Sequence, residues 1–130
     1  MTLEEFYKDL SVTSTGSYVN IGQNMLKIIE LINHTFQETT LWGLTSHAHL
    51  VIQVQDNWKS GWYVTIGNIG TEQYVVEYIM PEDEQPWKYA SVRGQANNLS
   101  EAKRYLLIAM ERSRGWKGNA ELQKLLAEYD

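Results

Sequence analysis

Two rhythms of apolar and polar positions run along this chain. Between Leu41 and Val92 the period is close to two, which marks strands with one buried face; on either side it is close to that of a helix. At the N-terminus, Thr2-Leu3-Glu4-Glu5 has the capping-box pattern, in which the threonine oxygen accepts from an amide three residues on. It predicts a short helix to about Leu10, with Leu3, Phe6, Tyr7 and Leu10 on one face packed over the core as a lid. Ser11 to Ser17 reads as a polar loop. Ile21, Met25, Ile28, Ile29, Ile32 and Phe36 then form a wide apolar stripe on a second helix, with Asn20 and Gln23 at its N-terminal cap and fraying expected after Asn33.

Four runs read as strands: Leu41 to Val54, Trp62 to Gly67, Gln73 to Met80 and Trp87 to Val92. In the first, the even positions from Trp42 to Val54 are apolar or small. It is either one long bent strand or two strands turning near Ser46. Asp56 to Gly61 has the composition of a hairpin loop, Gly67-Asn68-Ile69-Gly70 suits a turn with positive φ, and Pro81 to Pro86 is an acidic loop. Loops this short favour antiparallel neighbours, because parallel strands need long crossovers. Asn98-Leu99-Ser100-Glu101 starts a third helix with Ala102, Tyr105, Leu106, Ala109 and Met110 on one stripe, and Gly115 is placed to end it. A last helix begins near Asn119 and carries Leu122, Leu125, Leu126 and Tyr129. The expected fold is α+β: an antiparallel β-meander of four to five strands packed against N- and C-terminal helices, with residues 1–130 as a single domain.

Composition narrows the chemistry. The chain has 130 residues and no cysteine, which excludes disulfides, thiol nucleophiles, iron–sulfur clusters and cysteine-ligated zinc. No basic leader and no long apolar run stands at the N-terminus, so the expectation is a cytoplasmic protein with no membrane segment. The net charge of −5 argues against nucleic acid as a partner, since affinity for a phosphate backbone comes mainly from lysine and arginine. Charge is also uneven: residues 1–90 hold eleven acids and four bases, residues 91–130 five and seven. An acidic body of this kind favours a basic protein partner.

His47-Ala48-His49 would place two imidazoles on one side of a strand at a spacing that can share a metal, but no third ligand stands out, and surface histidines are the simpler reading. Gly67-Asn68-Ile69-Gly70 has the spacing of a phosphate-clamping loop without its basic residues, so it reads as a turn. Glu72 and Glu77 lack a carboxylate partner and no serine sits in a nucleophile elbow, so no catalytic residue, metal or cofactor is expected. Trp58, Trp62, Tyr63, Trp87 and Tyr89 invite comparison with single-stranded RNA platforms, although core packing and cross-strand pairing account for them with less strain on the charge balance. The basic set Arg93, Lys103, Arg104, Arg112, Arg114 and Lys117 could bind an anion, but charges scattered around a helix read more simply as a solvated surface. Glu82-Asp83-Glu84 is either a solvated loop or an acidic epitope for a basic cleft, with Trp87 beside it as an apolar anchor.

Gly61-Trp62-Tyr63-Val64-Thr65-Ile66-Gly67, Trp87-Lys88-Tyr89-Ala90, Leu99-Ser100-Glu101-Ala102 and Gly115-Trp116, with helices before and after a tryptophan-rich sheet, give this chain a layout that resembles the small immunity proteins of bacterial polymorphic toxin and contact-dependent growth inhibition systems. The likeness covers about half the chain and includes no catalytic motif. It implies a non-enzymatic inhibitor that binds a cognate toxin domain, often a nuclease, inside the producing cell. Under that reading the contact surface is Asp56, Trp58, Glu82, Asp83, Glu84 and Trp87. The rival readings are a small ligand- or metal-binding domain or enzyme using the sheet face near His47 and His49, and an RNA-binding sheet platform centred on Trp58 and Trp62.

Overall fold

The computed structural model of the protein describes residues 2–13, 17–46, 48–54 and 64–129, with residues 12, 13, 17–19 and 46 as backbone alone. Among them are four α-helices, α1 (Leu3–Thr13), α2 (Ser17–Thr35), α3 (Leu99–Arg112) and α4 (Ala120–Ala127). Five strands, β1 (Trp42–Ser46), β2 (His49–Gln53), β3 (Val64–Asn68), β4 (Tyr74–Ile79) and β5 (Ser91–Ala96), form one antiparallel sheet in the order β1-β2-β3-β4-β5. The fold is therefore an α+β meander with helices at both ends.

Local chemistry sets the helix starts. Thr2 Oγ1 accepts from the Glu5 amide at 3.1 Å, Asn98 Oδ1 from the Glu101 amide at 2.8 Å and Asn119 Oδ1 from the Leu122 amide at 2.8 Å. Each oxygen satisfies one amide that a helix leaves without an internal partner. Glu101 answers one residue earlier than a standard capping box, accepting from the Asn97 amide at 3.3 Å.

One face of the sheet carries the core. Leu50, Ile52, Val64, Ile66, Tyr74 and Val76 meet Met25, Ile28, Ile29 and Ile32 of α2 and Ala102, Leu106, Ala109 and Met110 of α3. These positions share a face because the register pairs Leu50 with Ile66 and Ile66 with Val76. Helix α1 crosses α2 at Gly22, where a Cβ would stand 2.5 Å from the Tyr7 carbonyl oxygen and 2.7 Å from the Ser11 nitrogen. Tyr7 is fully buried there, its hydroxyl donates to the Ala48 carbonyl at 2.9 Å, and burial pushes the phenol above its ordinary range. At the other end Glu121 holds the exit of α2 to the start of α4. Its carboxylate accepts from three consecutive amides, Gln37 at 3.0 Å, Glu38 at 3.1 Å and Thr39 at 2.9 Å.

The structure corrects several boundaries. Helix α1 runs on to Thr13, and α2 starts at Ser17 and reaches Thr35, so Asn20 lies inside α2 rather than at its cap. Its side-chain amide instead donates to the Gly70 carbonyl at 3.2 Å, tying α2 to the turn between β3 and β4. The run from Leu41 to Val54 is two strands, with Ser46 opposite His49 and Ala48 at φ +68° between them. That turn changes the parity of the pattern: Gly43 and Thr45 pair with Ile52 and Leu50 and share their face, leaving Trp42 and Leu44 on the other. The last strand is Ser91–Ala96 rather than Trp87–Val92. Trp87 to Ala90 forms a turn, with the Ala90 amide donating to the Trp87 carbonyl at 3.2 Å and Tyr89 at φ +66°, a conformation no strand accommodates. The stop of α3 also differs, because Arg114 and not Gly115 takes the left-handed conformation, at φ +66°. No helix among the described residues is long and apolar enough to cross a membrane.

Candidate functional site

Of the expected contact residues, the structure brings Glu82, Asp83, Glu84 and Trp87 together on the connection between β4 and β5. Asp56 and Trp58 lie outside the described residues, as do His47, Trp62 and Tyr63. After Pro81, Glu82 to Glu84 make a single 3-10 turn, with the Glu84 amide donating to the Pro81 carbonyl at 2.9 Å. Gln85 then braces the loop from within. Its side-chain amide donates to the Met80 carbonyl at 2.7 Å, and its Oε1 accepts from the Tyr89 amide at 3.0 Å. The loop closes where the Met80 amide donates to the Ala90 carbonyl at 2.9 Å.

A second brace comes from the end of α3. Arg114 Nη1 donates to Asp83 at 2.8 Å and Nη2 to Glu84 at 3.2 Å, so one guanidinium spans two neighbouring carboxylates. The three acids are therefore not equivalent. Asp83 and Glu84 share one guanidinium, which offsets one of their two charges, whereas among the described residues Glu82 makes no side-chain hydrogen bond or ion pair. The basic set read as a solvated surface likewise divides, with Arg114 drawn out of it to this loop.

The braces hold up two rings that the core does not use. Trp87 is 72% exposed and Tyr89 71%, the two most exposed large hydrophobic side chains among the described residues. Lys88 sits between them with its Nζ 5.0 Å from the centroid of the Tyr89 ring, a cation over a π face. Large rings standing in water on a fixed backbone are what protein–protein hot spots use, because they bring much contact area with few torsions left to freeze. The sequence puts Tyr89 among the aromatic platform residues and Arg114 in the basic set and gives Gln85 no role, so none of the three is in the expected contact set. Trp87 and Tyr89 are two apart, which reads as one strand face, and nothing in the sequence marks a left-handed arginine. The flanking Pro81 and Pro86 are the one signal that could have extended the loop.

The rival sites gain less. His49 opens β2 on the face away from the helices and is exposed, lying against Gly67 so closely that a Cβ at Gly67 would collide with the imidazole. Among the described residues no three histidine, aspartate or glutamate side chains converge in a way that could hold a metal. Tyr74 and Tyr78 point into the core, and Trp42, 41% exposed, lies on the sheet's other face, where Val51 and Gln53 are buried. A cleft of about 350 Å³ opens between Lys27, Glu72, Tyr74 and Ser100, but its single carboxylate and single lysine are not a proton-transfer pair facing a closed pocket.

Comparison of the chain with protein-family models, with curated proteins and with solved structures finds no match.

Proposed function

We propose that this protein is a non-enzymatic binding protein of the immunity class, which neutralises a cognate toxin domain in the cytoplasm by seating the β4–β5 loop against it. The observation that carries this reading is the pair of braced, exposed rings: Trp87 and Tyr89, each about seven-tenths exposed, on a loop fixed by Gln85 and Arg114. Exposing two aromatic rings costs solvation and invites association, and a soluble fold has no packing use for them there. Their chemistry suits an apolar pocket in a partner. The net charge of −5 and the unpaired Glu82 suit a partner whose cleft is basic, such as the substrate cleft of a nuclease.

In that mechanism the loop competes with nucleic acid for the cleft. Glu82 steers the encounter, and Trp87 with Tyr89 supplies the contact that slows dissociation. Asp83 and Glu84 act indirectly: their bonds to Arg114 keep the loop in its binding shape, so little ordering entropy is lost on association.

Calorimetric titration against the C-terminal domain encoded by the gene immediately upstream, paired with rescue of cells expressing that domain, tests the proposal. Tight one-to-one binding with rescue, both lost in Trp87→Ala, is the expected result. Absence of binding, or binding that leaves the toxin active, would overturn it.

A further inference from the structure

We infer that the outer edge of β5 is a docking site for an extended, amphipathic segment of another protein, added to the sheet as a sixth strand. The bond from the Met80 amide to the Ala90 carbonyl fixes the alternation of the β4–β5 ladder. Along an antiparallel pair, hydrogen-bonded and non-hydrogen-bonded pairs alternate, so Val92, Gly94 and Ala96 bond inward to β4. Ser91, Arg93 and Gln95 then direct their N–H and C=O groups away from the sheet. No described residue bonds to those backbone groups.

Proteins usually blunt such an edge with proline, charged side chains, a bulge or a covering element. The six residues of β5 carry one charge, Arg93, and no proline, and they pair with β4 in one unbroken register. The main-chain chemistry of the edge selects an extended backbone as its occupant, and the side chains narrow the choice. On the helix side a new strand would lie beside Val92, 40% exposed, and Tyr105, whose ring stands 3.3 Å from where a Gly94 Cβ would be. Apolar residues at alternate positions fit that side. On the other side it would face exposed Arg93, which fits an acidic residue. A second copy of this chain fits poorly. The self-pairing that uses all three outward residues sets Arg93 opposite its own copy, and each copy carries a net charge of −5. The inference stands whether or not the partner is a toxin.

Selection of a displayed library of random linear peptides on the intact protein tests it without a known partner. The expected result is enrichment of peptides alternating apolar and polar residues, whose binding protects the Arg93 and Gln95 amides from hydrogen exchange. Arg93→Pro removes one outward N–H while sparing the inward bonds of Val92 and Gly94, since proline is tolerated where an edge N–H faces solvent. It should weaken the selected peptides by roughly tenfold or more, as expected for a lost main-chain bond that leaves its acceptor unpaired, and Arg93→Ala should weaken them less. Should Arg93→Pro fail to fold, Gln95→Pro and the amide protection decide. A library that yields no binder, or binders that leave these amides unprotected or bind the proline variants as tightly as the parent, would overturn the inference.

Discussion

Arg114 grips Asp83 at 2.8 Å from a left-handed backbone position that glycine would occupy more easily. The residue is thus under two opposed influences, a backbone cost of about 1 kcal/mol and an exposed ion pair worth about 0–1 kcal/mol. Deleting the side chain in two ways separates them. Arg114→Ala keeps the strain and loses the pair, so it should melt below the parent; Arg114→Gly loses both and should melt above Arg114→Ala, by about 2–5 °C. Both should speed hydrogen exchange at the Tyr89 amide, which reports the loop rather than global stability. Equal melting temperatures for the two variants would show that the left-handed position carries no strain.

Glu82 gives the cleaner test of steering. Reversing all three acids would also break the Arg114 bonds and loosen the loop, confusing charge with shape. Glu82→Lys changes charge alone at an exposed site and should alter stability by no more than about 0.5 kcal/mol. Its association rate with a basic partner should fall by severalfold at low salt and converge with the parent at high salt, while dissociation is unchanged. Stopped-flow association at two ionic strengths reads both effects, and a rate insensitive to the reversal would remove Glu82 from the contact.

Trp87→Ala should behave in the opposite way. Because the ring makes no core contact, the melting temperature should hold, while partner affinity falls by about 2 kcal/mol or more through faster dissociation. A variant that melted several degrees lower would mean that the ring stabilises its own fold.

What the sequence disclosed follows how local the cause was. The caps at Thr2, Asn98 and Asn119 depend on side chains within three residues of the amides they satisfy, so the motif and the bond coincide. The meander was legible because short loops leave few ways to join strands. Strand β5 was misplaced because Trp87-Lys88-Tyr89 has strand composition, while its turn is closed by the pairing of Met80 with Ala90, ten residues apart, and by a Gln85 bond that matches no standard motif. Trp42 and Leu44 were assigned to the wrong face because a turn at Ala48 shifts parity, which residue types alone do not reveal. Arg114 reaches its partners across 30 and 31 residues of chain, beyond any local pattern.

Gly22 should tolerate no side chain. A Cβ there would meet backbone atoms of α1 at 2.5 and 2.7 Å, and backbone cannot swing aside as a flexible side chain can. Alanine is better than glycine in a helix by about 1 kcal/mol, so propensity alone predicts that Gly22→Ala stabilises. Overpacking of about 1–3 kcal/mol opposes it, and the contact should win. Chemical denaturation should therefore show a lower midpoint with an unchanged slope.

Glu121 should make the protein acid-labile in a defined direction. Hydrogen bonding from the Thr39 side chain, and then from the amides of Glu38, Gln37 and Thr39, holds its carboxyl below the ordinary value of 4.5. A carboxylate whose folded value is depressed binds protons more weakly in the folded chain than in the unfolded one. Its stabilising contribution is therefore fully present above the ordinary value and lost as pH falls through the folded one. Glu121→Gln retains an acceptor at one position but removes the charge and places an NH2 donor against amides that also donate, so it should melt lower than the parent at neutral pH. The gap between the two should close as pH falls below the ordinary value of 4.5 and on through the depressed folded one, where the parent's carboxyl takes up its proton. Melting curves for both proteins across that range check the sign: a gap that stays constant would mean the clamp is held by shape rather than charge, and a gap that widens would contradict the depressed carboxyl altogether.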